Sequence, residues 1–429
     1  MSLRDSLPAP WLVAAVALAG VTAGVLYGKW APSSHEPSSS PPVPEPAAPP
    51  AAPLKGTPSF PGIPGAPPPE IAKAMESAIA DAFGGNPEDP MQVRVREAGA
   101  ARLRDLVEKW TATSPRHPLA AVAWWKAALG RAIPVEEEAP PGIARREIRF
   151  LDTTLPLVLT VPPRTGKGTG PVPLILTVIE EPPDAAESIR ALYGTLLDTH
   201  AVAAVVLRDP VEQDPRLALL GIVEAAKAVR VDRDRVVLDG TGRGTKVVAE
   251  LAPDAARQFC GVIFRGTEKP GDPAENLGLL SVLAFTKAGT AQGGPMVQEW
   301  IRALQARRIA DPTQPCSWAT VTGKRYRSWG QWFVVKRYRG TGAGHAVRVA
   351  LSRDRERNAV LLHTENVAEI QLLLDDEGLD LDQPVKVVHD GMVIEEKKVE
   401  RRIDTVRAWA SQGEPTLFVT AEITVRIPE

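Results

Sequence analysis

The chain has 429 residues, 44% of them hydrophobic and 24% charged, with a formal net charge of -2. Single cores stop growing near 250 residues, so two or three domains are expected. There is no basic excess to neutralise phosphates, which argues against a nucleic-acid partner, and the two cysteines leave the redox compartment open.

After a short tail (1–10), residues 11–28 form an uncharged apolar run with Trp11, Tyr27 and Trp30 at its ends. The run approaches the roughly 17–25 residues that cross a bilayer, and its aromatic ends match membrane-interface belts. A single membrane anchor is the expectation, with the bulk of the chain outside the cytoplasm. A cleavable signal peptide is the rival reading, with Ala17-Leu18-Ala19 as its small-residue site, although the apolar run continues beyond it. Residues 31–69 hold fifteen prolines among Ala, Ser and Gly. Such a stretch cannot bury a core and reads as an extended, semi-rigid linker. A helical region over 70–134 follows, with amphipathic helices at 70–83, 91–111 and 118–132. Trp124 and Trp125 are expected to pack against the domain that follows, and His117 reads as a turn residue.

From residue 145 the pattern changes. Strands at 146–150 and 155–161 read as an antiparallel hairpin. Apolar runs at 172–179, 201–207, 235–239, 261–265, 280–286 and 317–322 then alternate with helical patterns at 184–199, 215–229, 245–252 and 296–308. Strands apolar on both faces, alternating with helices, predict a mostly parallel sheet covered on both sides. Beyond residue 340 the runs are short and alternating (345–352, 358–363, 369–374, 384–389, 392–399 and 417–427), with one helix at 402–411. This predicts a small β-sandwich-like domain over 340–429. The acidic stretch 375–382 lacks the spacing of a calcium loop and reads as a solvated turn, so no metal and no cofactor is expected.

The most informative stretch is 234–250, where an apolar strand ending at Leu238-Asp239 runs into Gly240-Thr241-Gly242-Arg243-Gly244 and then a helix. It resembles the Gly-x-Ser-x-Gly nucleophile elbow of the α/β-hydrolase superfamily, whose sharp turn lifts a serine oxygen clear of the sheet. Together with the surrounding alternation, residues 145–339 are similar to that superfamily, in its branch of secreted bacterial esterases and peptidase-like proteins. The resemblance implies the α/β-hydrolase sheet. It also implies a serine where this chain has Gly242, and glycine has no side chain to attack a carbonyl.

Three further positions depart from what the resemblance implies. Glu180-Glu181-Pro182-Pro183 stands where an oxyanion-hole His-Gly is expected, and proline offers no N–H donor. Residues 287–294 carry no carboxylate at the acid position. Residues 323–328 carry no histidine at the base position, the nearest glycine-rich histidine being His345. Were 332–338 the last strand of the hydrolase sheet, His345 would sit at the base position. Thr241 and Thr245 flank the empty apex; their plain roles are turn residue and helix N-cap.

The glycine-rich turn also offers backbone N–H groups to an anion, with Arg243 as an added cation, but neither the dinucleotide fingerprint nor the phosphate loop is matched. In a hydrolase sheet Cys260 and Cys316 would start the sixth and eighth strands, about 9–10 Å apart. That is too far for a disulfide. The reading is thus a membrane-anchored protein of α/β-hydrolase fold without the catalytic serine, acting in binding or scaffolding at the cell envelope. The alternative is an active hydrolase using a non-serine nucleophile, Thr241 or Thr245, with His345.

Overall fold

The computed structural model describes residues 67–83, 90–114, 117–132, 139–150, 153–163, 171–180, 185–265, 274–285, 294–304, 316–321, 332–340, 344–410 and 418–428. The run at 11–28 and the linker up to residue 66 lie outside them. No helix among the described residues is long and apolar enough to cross a membrane.

Three helices open the described chain: α1 (Pro69–Phe83), α2 (Pro90–Thr113) and α3 (Val122–Ala132). Their apolar faces meet in one cluster with Met75, Ile79, Leu103, Trp110 and Trp125 buried at its centre. Val406 and Phe418, from the far end of the sequence, belong to the same cluster. Trp125 stacks on Phe418 with ring centroids 5.9 Å apart and planes at 21°, and its indole N–H donates to the Pro118 carbonyl. The helices therefore dock on the C-terminal module, where the sequence suggested the domain next in line. His117 caps a single turn, its Nδ1 accepting the Leu119 N–H at 3.2 Å.

A seven-stranded sheet follows, built from β1 (Gly142–Phe150), β2 (Thr153–Val161), β3 (Val172–Ile179), β4 (Ala201–Val206), β5 (Val231–Gly240), β6 (Gly261–Arg265) and β7 (Ser281–Phe285). Its order is β1-β2-β4-β3-β5-β6-β7. β1 and β2 form the antiparallel hairpin, β2 lies antiparallel to β4, and the strands from β4 to β7 are parallel.

Both faces of this sheet are covered, which is why β4 is buried at every residue. Leu174, Leu176, Val178, Ala203, Val205 and Leu238 pack against α6 (Leu220–Ala228) and α7 (Gly244–Asp254). Ile175, Val202, Ala204, Val237 and Ile263 pack on the other side against α4 (Ala185–Tyr193) and α8 (Gly294–Leu304). The short α5 (Asp209–Gln213) follows β4. The expected helix at 215–229 divides into a 3₁₀ segment, Pro215–Leu219, and α6. This is an α/β-hydrolase-like sheet, with strand crossovers between β3, β4 and β5.

The remaining strands are β8 (Cys316–Val321), β9 (Phe333–Tyr338), β10 (Ala346–Asp354), β11 (Ala359–Glu365), β12 (Val367–Leu374), β13 (Val385–His389), β14 (Met392–Lys397) and β15 (Ala421–Arg426), with α9 (Ile403–Ala410) before the last. They form a five-stranded sheet, β14-β13-β11-β10-β8, and a three-stranded sheet, β15-β12-β9. Val347, Val349 and Leu351 of the larger sheet share one core with Phe333, Ile370, Leu372 and Ile423 of the smaller.

One strand expected in the hydrolase-like sheet, at 317–322, belongs here instead, and the condition that 332–338 close that sheet is not met. β8 pairs with β10 and β9 pairs with β12, so the boundary between sheets falls between residues 285 and 316 where the sequence suggested 339. Cys260 and Cys316 are free and buried, as expected, but they lie in different sheets and not two strands apart in one. Burial pushes both thiols up to about 12.

The acidic stretch is not a solvated turn. Asp375 and Asp376 are buried: Asp375 pairs with Arg353 at 3.1 Å, and Asp376 takes two hydrogen bonds from Arg401, which also reaches Asp382 at 2.7 Å. Buried carboxylates persist only when paired in this way. Glu377 extends the link to the helical region through Lys126 at 2.7 Å. Among the described residues no cluster of three or more His, Cys, Asp or Glu is arranged to hold a metal ion.

Candidate functional site

The turn between β5 and α7 is pinned to the middle of the sheet. The Thr241 N–H donates to the Val178 carbonyl of β3 at 3.0 Å, and the Gly244 N–H donates to the Thr241 carbonyl at 2.9 Å. At the apex Gly242 has φ of 55°, the left-handed region where a residue without Cβ carries no steric penalty. Gly240 and Gly244 answer to a different demand. A Cβ on Gly244 would run into the Val178 carbonyl, and one on Gly240 would lie 2.7 Å from the Gly244 carbonyl oxygen. The glycine spacing thus serves the close approach of strand, turn and helix, independently of any nucleophile.

Glu180, the residue after β3, stands over the apex. Its Oε1 accepts the backbone N–H of Arg243 at 3.1 Å and lies 3.3 Å from the Arg243 Nε. A Cβ on Gly242 would come within 2.7 Å of its Oε2. The Arg243 guanidinium reaches Glu212 of α5 at 3.0 Å. These side chains are 36–66% exposed, and ion pairs in such surroundings contribute about 0–1 kcal/mol each. In a nucleophile elbow the N–H of the residue after the nucleophile is one of the two oxyanion donors. Here that donor is satisfied by a carboxylate of the chain itself.

Beneath the turn lies a second charged group, this one fully buried. Asp239 accepts from Arg265 Nε at 2.8 Å and from its terminal nitrogen at 2.6 Å, from the Tyr193 hydroxyl at 2.9 Å and from the Gly240 N–H at 2.7 Å. Burial, and then the Asp239 charge, push the Tyr193 hydroxyl well above the usual phenol range. Burial alone would lower the Arg265 guanidinium, but Asp239 outweighs it and the net shift is upward. Asp239 and Arg265 end adjacent parallel strands, so the pair closes the sheet beside the elbow. Their signal in the sequence is one opposite charge at the end of each of two apolar runs.

Thr241 is a turn residue. Thr245 is not an N-cap: it lies inside α7, and its hydroxyl donates to the Gly242 carbonyl at 2.8 Å, while Arg243 occupies the cap position with no side-chain cap bond. His345 is exposed at the start of β10 in the five-stranded sheet. β9 does not extend the hydrolase-like sheet, so His345 does not follow that sheet's last strand. The segments after β3, β4, β5, β6 and β7, where an α/β sheet carries its ligand and catalytic groups, contain no Ser, Cys or His in this sequence. The acid-position loop 287–294 and the base-position loop 323–328 lie outside the described residues apart from Gly294.

No protein-family model and no curated relative matches the chain. Solved structures to which it is similar include the esterase Est1E from Butyrivibrio proteoclasticus, at 17% identity and a TM-score of 0.23, covering 28% of this chain and 50% of that one. A thermostable esterase matches at 14% identity and a TM-score of 0.26, over 38% of this chain and 60% of its own. A 2,6-dihydroxy-pseudo-oxynicotine hydrolase matches at 15% identity and a TM-score of 0.24, over 45% and 48%. This chain spans about half to three-fifths of their lengths. The fold assignment rests on the strand order and the elbow of this chain. The fold is α/β-hydrolase-like.

Proposed function

We propose that the chain is a membrane-tethered protein of the cell envelope whose α/β-hydrolase-like domain does not catalyse, and which works by binding or scaffolding. The observation that carries the non-catalytic part is the elbow itself. Its apex residue has no side chain, and the oxyanion donor beside it is engaged by Glu180. The absence of Ser, Cys and His from the segments at the C-terminal ends of β3–β7 supports the same reading, because a nucleophile needs a base within hydrogen-bond reach. Tethering is inferred from the apolar run at 11–28 and the proline-rich linker behind it, with the folded part held outside the cytoplasm.

The test is hydrolysis of short-chain nitrophenyl esters and labelling by a fluorophosphonate. We expect neither in the native protein, and essentially no hydrolysis in Gly242→Ser. One oxyanion donor alone is typically worth about 10²- to 10³-fold, so a serine without base, acid or free donor gains little. Ester turnover by the native protein that is lost in His345→Ala would overturn this reading in favour of a threonine-based hydrolase.

A further inference from the structure

We propose that Glu180 is an internal ligand of the elbow: its carboxylate fills the oxyanion position and the space above residue 242, so that the chain closes its own site. This rests on the non-catalytic reading and goes beyond it, because a missing nucleophile would leave an open cleft whereas an internal carboxylate leaves an occupied one.

Three relationships point the same way. The Arg243 N–H, which in an elbow faces the developing negative charge of an acyl-transfer intermediate, donates to Glu180 Oε1 at 3.1 Å. The other oxygen of the same carboxylate takes the volume into which a side chain at position 242 would project, 2.7 Å from its Cβ position. The Arg243 side chain is held from both sides, by Glu180 at 3.3 Å and by Glu212 at 3.0 Å, so its cation adds to the attraction for a carboxylate at this point.

The physics of the arrangement is that of a substrate anion supplied in cis. The first-turn N–H groups of Gly244, Thr245 and Lys246 are taken by the Thr241, Gly242 and Arg243 carbonyls; what the start of α7 offers Glu180 is the Arg243 N–H and the positive end of the helix dipole. A carboxylate tethered next to β3 reaches them without losing translational freedom, whereas a free ester would have to displace it. Serine at position 242 would meet the same carboxylate, so the two cannot both keep their places and the Glu180 side chain would have to turn aside.

The experiment is chemical rescue in the full chain. Glu180→Ala removes the carboxylate and frees the Arg243 N–H for an added anion; Glu180→Gln keeps the bulk and removes the charge. We expect Glu180→Ala to melt about 2–4 °C below wild type, the shift that a small loss of stability produces in a domain of this size. Sodium formate should recover most of that loss, and sodium chloride at matched ionic strength should not. Wild type and Glu180→Gln should not respond to formate.

The amide resonance of Arg243, followed by selective arginine labelling, should move in Glu180→Ala and return towards its wild-type position with formate. If Glu180→Ala fails to fold, the same resonance is followed in Glu180→Gln, where a displaced signal supports the contact and an unmoved one overturns it. An equal formate effect on all three proteins, or an Arg243 amide unmoved by Glu180→Ala, overturns the proposal. The two readings fail separately: ester turnover in the native protein removes the non-catalytic reading and leaves the rescue result to stand, and failed rescue removes the internal ligand while the absence of turnover stands.

Discussion

Asn276 bonds both backbone groups of Ala319: its Oδ1 accepts the Ala319 N–H at 2.7 Å and its Nδ2 donates to the Ala319 carbonyl at 3.1 Å. The same amide donates to the Pro253 carbonyl at 2.9 Å. Ala319 is in β8, whose other side pairs with β10, and Pro253 is in α7. A single buried side chain therefore does for the edge of β8 what a neighbouring strand would do, and ties the C-terminal module to the helix that leaves the elbow.

From this follows a stability prediction. Asn276→Ala would orphan three buried backbone groups, and one such group costs about 1–3 kcal/mol. We expect a loss of at least about 2 kcal/mol in denaturant unfolding. We also expect earlier hydrogen exchange in β8 than in β3, because the two sheets lose their shared clip. A change within error of wild type would show that the β8 edge is held by other contacts.

The buried pair beneath the elbow gives a graded series. Asp239→Asn leaves Arg265 without its counter-charge in a site where both side chains are almost fully buried, and breaking such a pair costs about 3–5 kcal/mol. Tyr193→Phe removes one hydrogen bond and should cost about 1 kcal/mol. Equal effects in urea titration would contradict the ordering.

His200, buried before β4, supplies the pH dependence. Burial holds its imidazole down at about 4, from an ordinary 6.5, and the nearby Arg235 and Arg302 push in the same direction against the hydrogen bond that the imidazole donates to the Leu196 backbone. The folded-state value lies below the unfolded one, so the unfolded chain takes up a proton that the native chain refuses. Stability from this group is therefore complete above about 6.5 and is lost as pH falls towards about 4. At 1.36 kcal/mol per unit the loss is of order 3 kcal/mol. His200→Gln should flatten the stability profile in that window; an unchanged slope would assign the acid sensitivity elsewhere.

Tethering is tested by fractionation. Full-length protein is expected with the membranes, and a chain lacking residues 1–69 is expected to be soluble and folded. Soluble full-length protein whose sequence begins at Gly20 would establish the cleaved signal peptide in its place.

Much of this architecture is written in local pattern. The unbroken apolar runs of β3 and β4 can exist only between two layers of helices, and the alternating runs of β10 to β13 suit strands with one face buried. Gly240-x-Gly242-x-Gly244 after an apolar strand marks a sharp strand-to-helix turn, because glycine takes the positive φ at the apex without steric cost and leaves room for Val178 to approach Gly244. These are properties of a few neighbouring residues, so the sequence alone determined them, as it determined that no serine stands at the apex.

Partner choice was decided only by the tertiary structure. Cys316–Val321 is as acceptable a strand for one sheet as for the other, and its place was settled by Asn276, some forty residues away, together with β10. Asp375 and Asp376 read as solvated acids until Arg353 and Arg401 are brought to them from other segments. Glu180 read as a defect in the oxyanion loop until the fold placed its carboxylate on the Arg243 N–H. Each outcome depends on which distant groups meet in the low-dielectric interior or at a helix end, where a charge is costly alone and stable when matched. Periodicity along the chain carries no record of that matching.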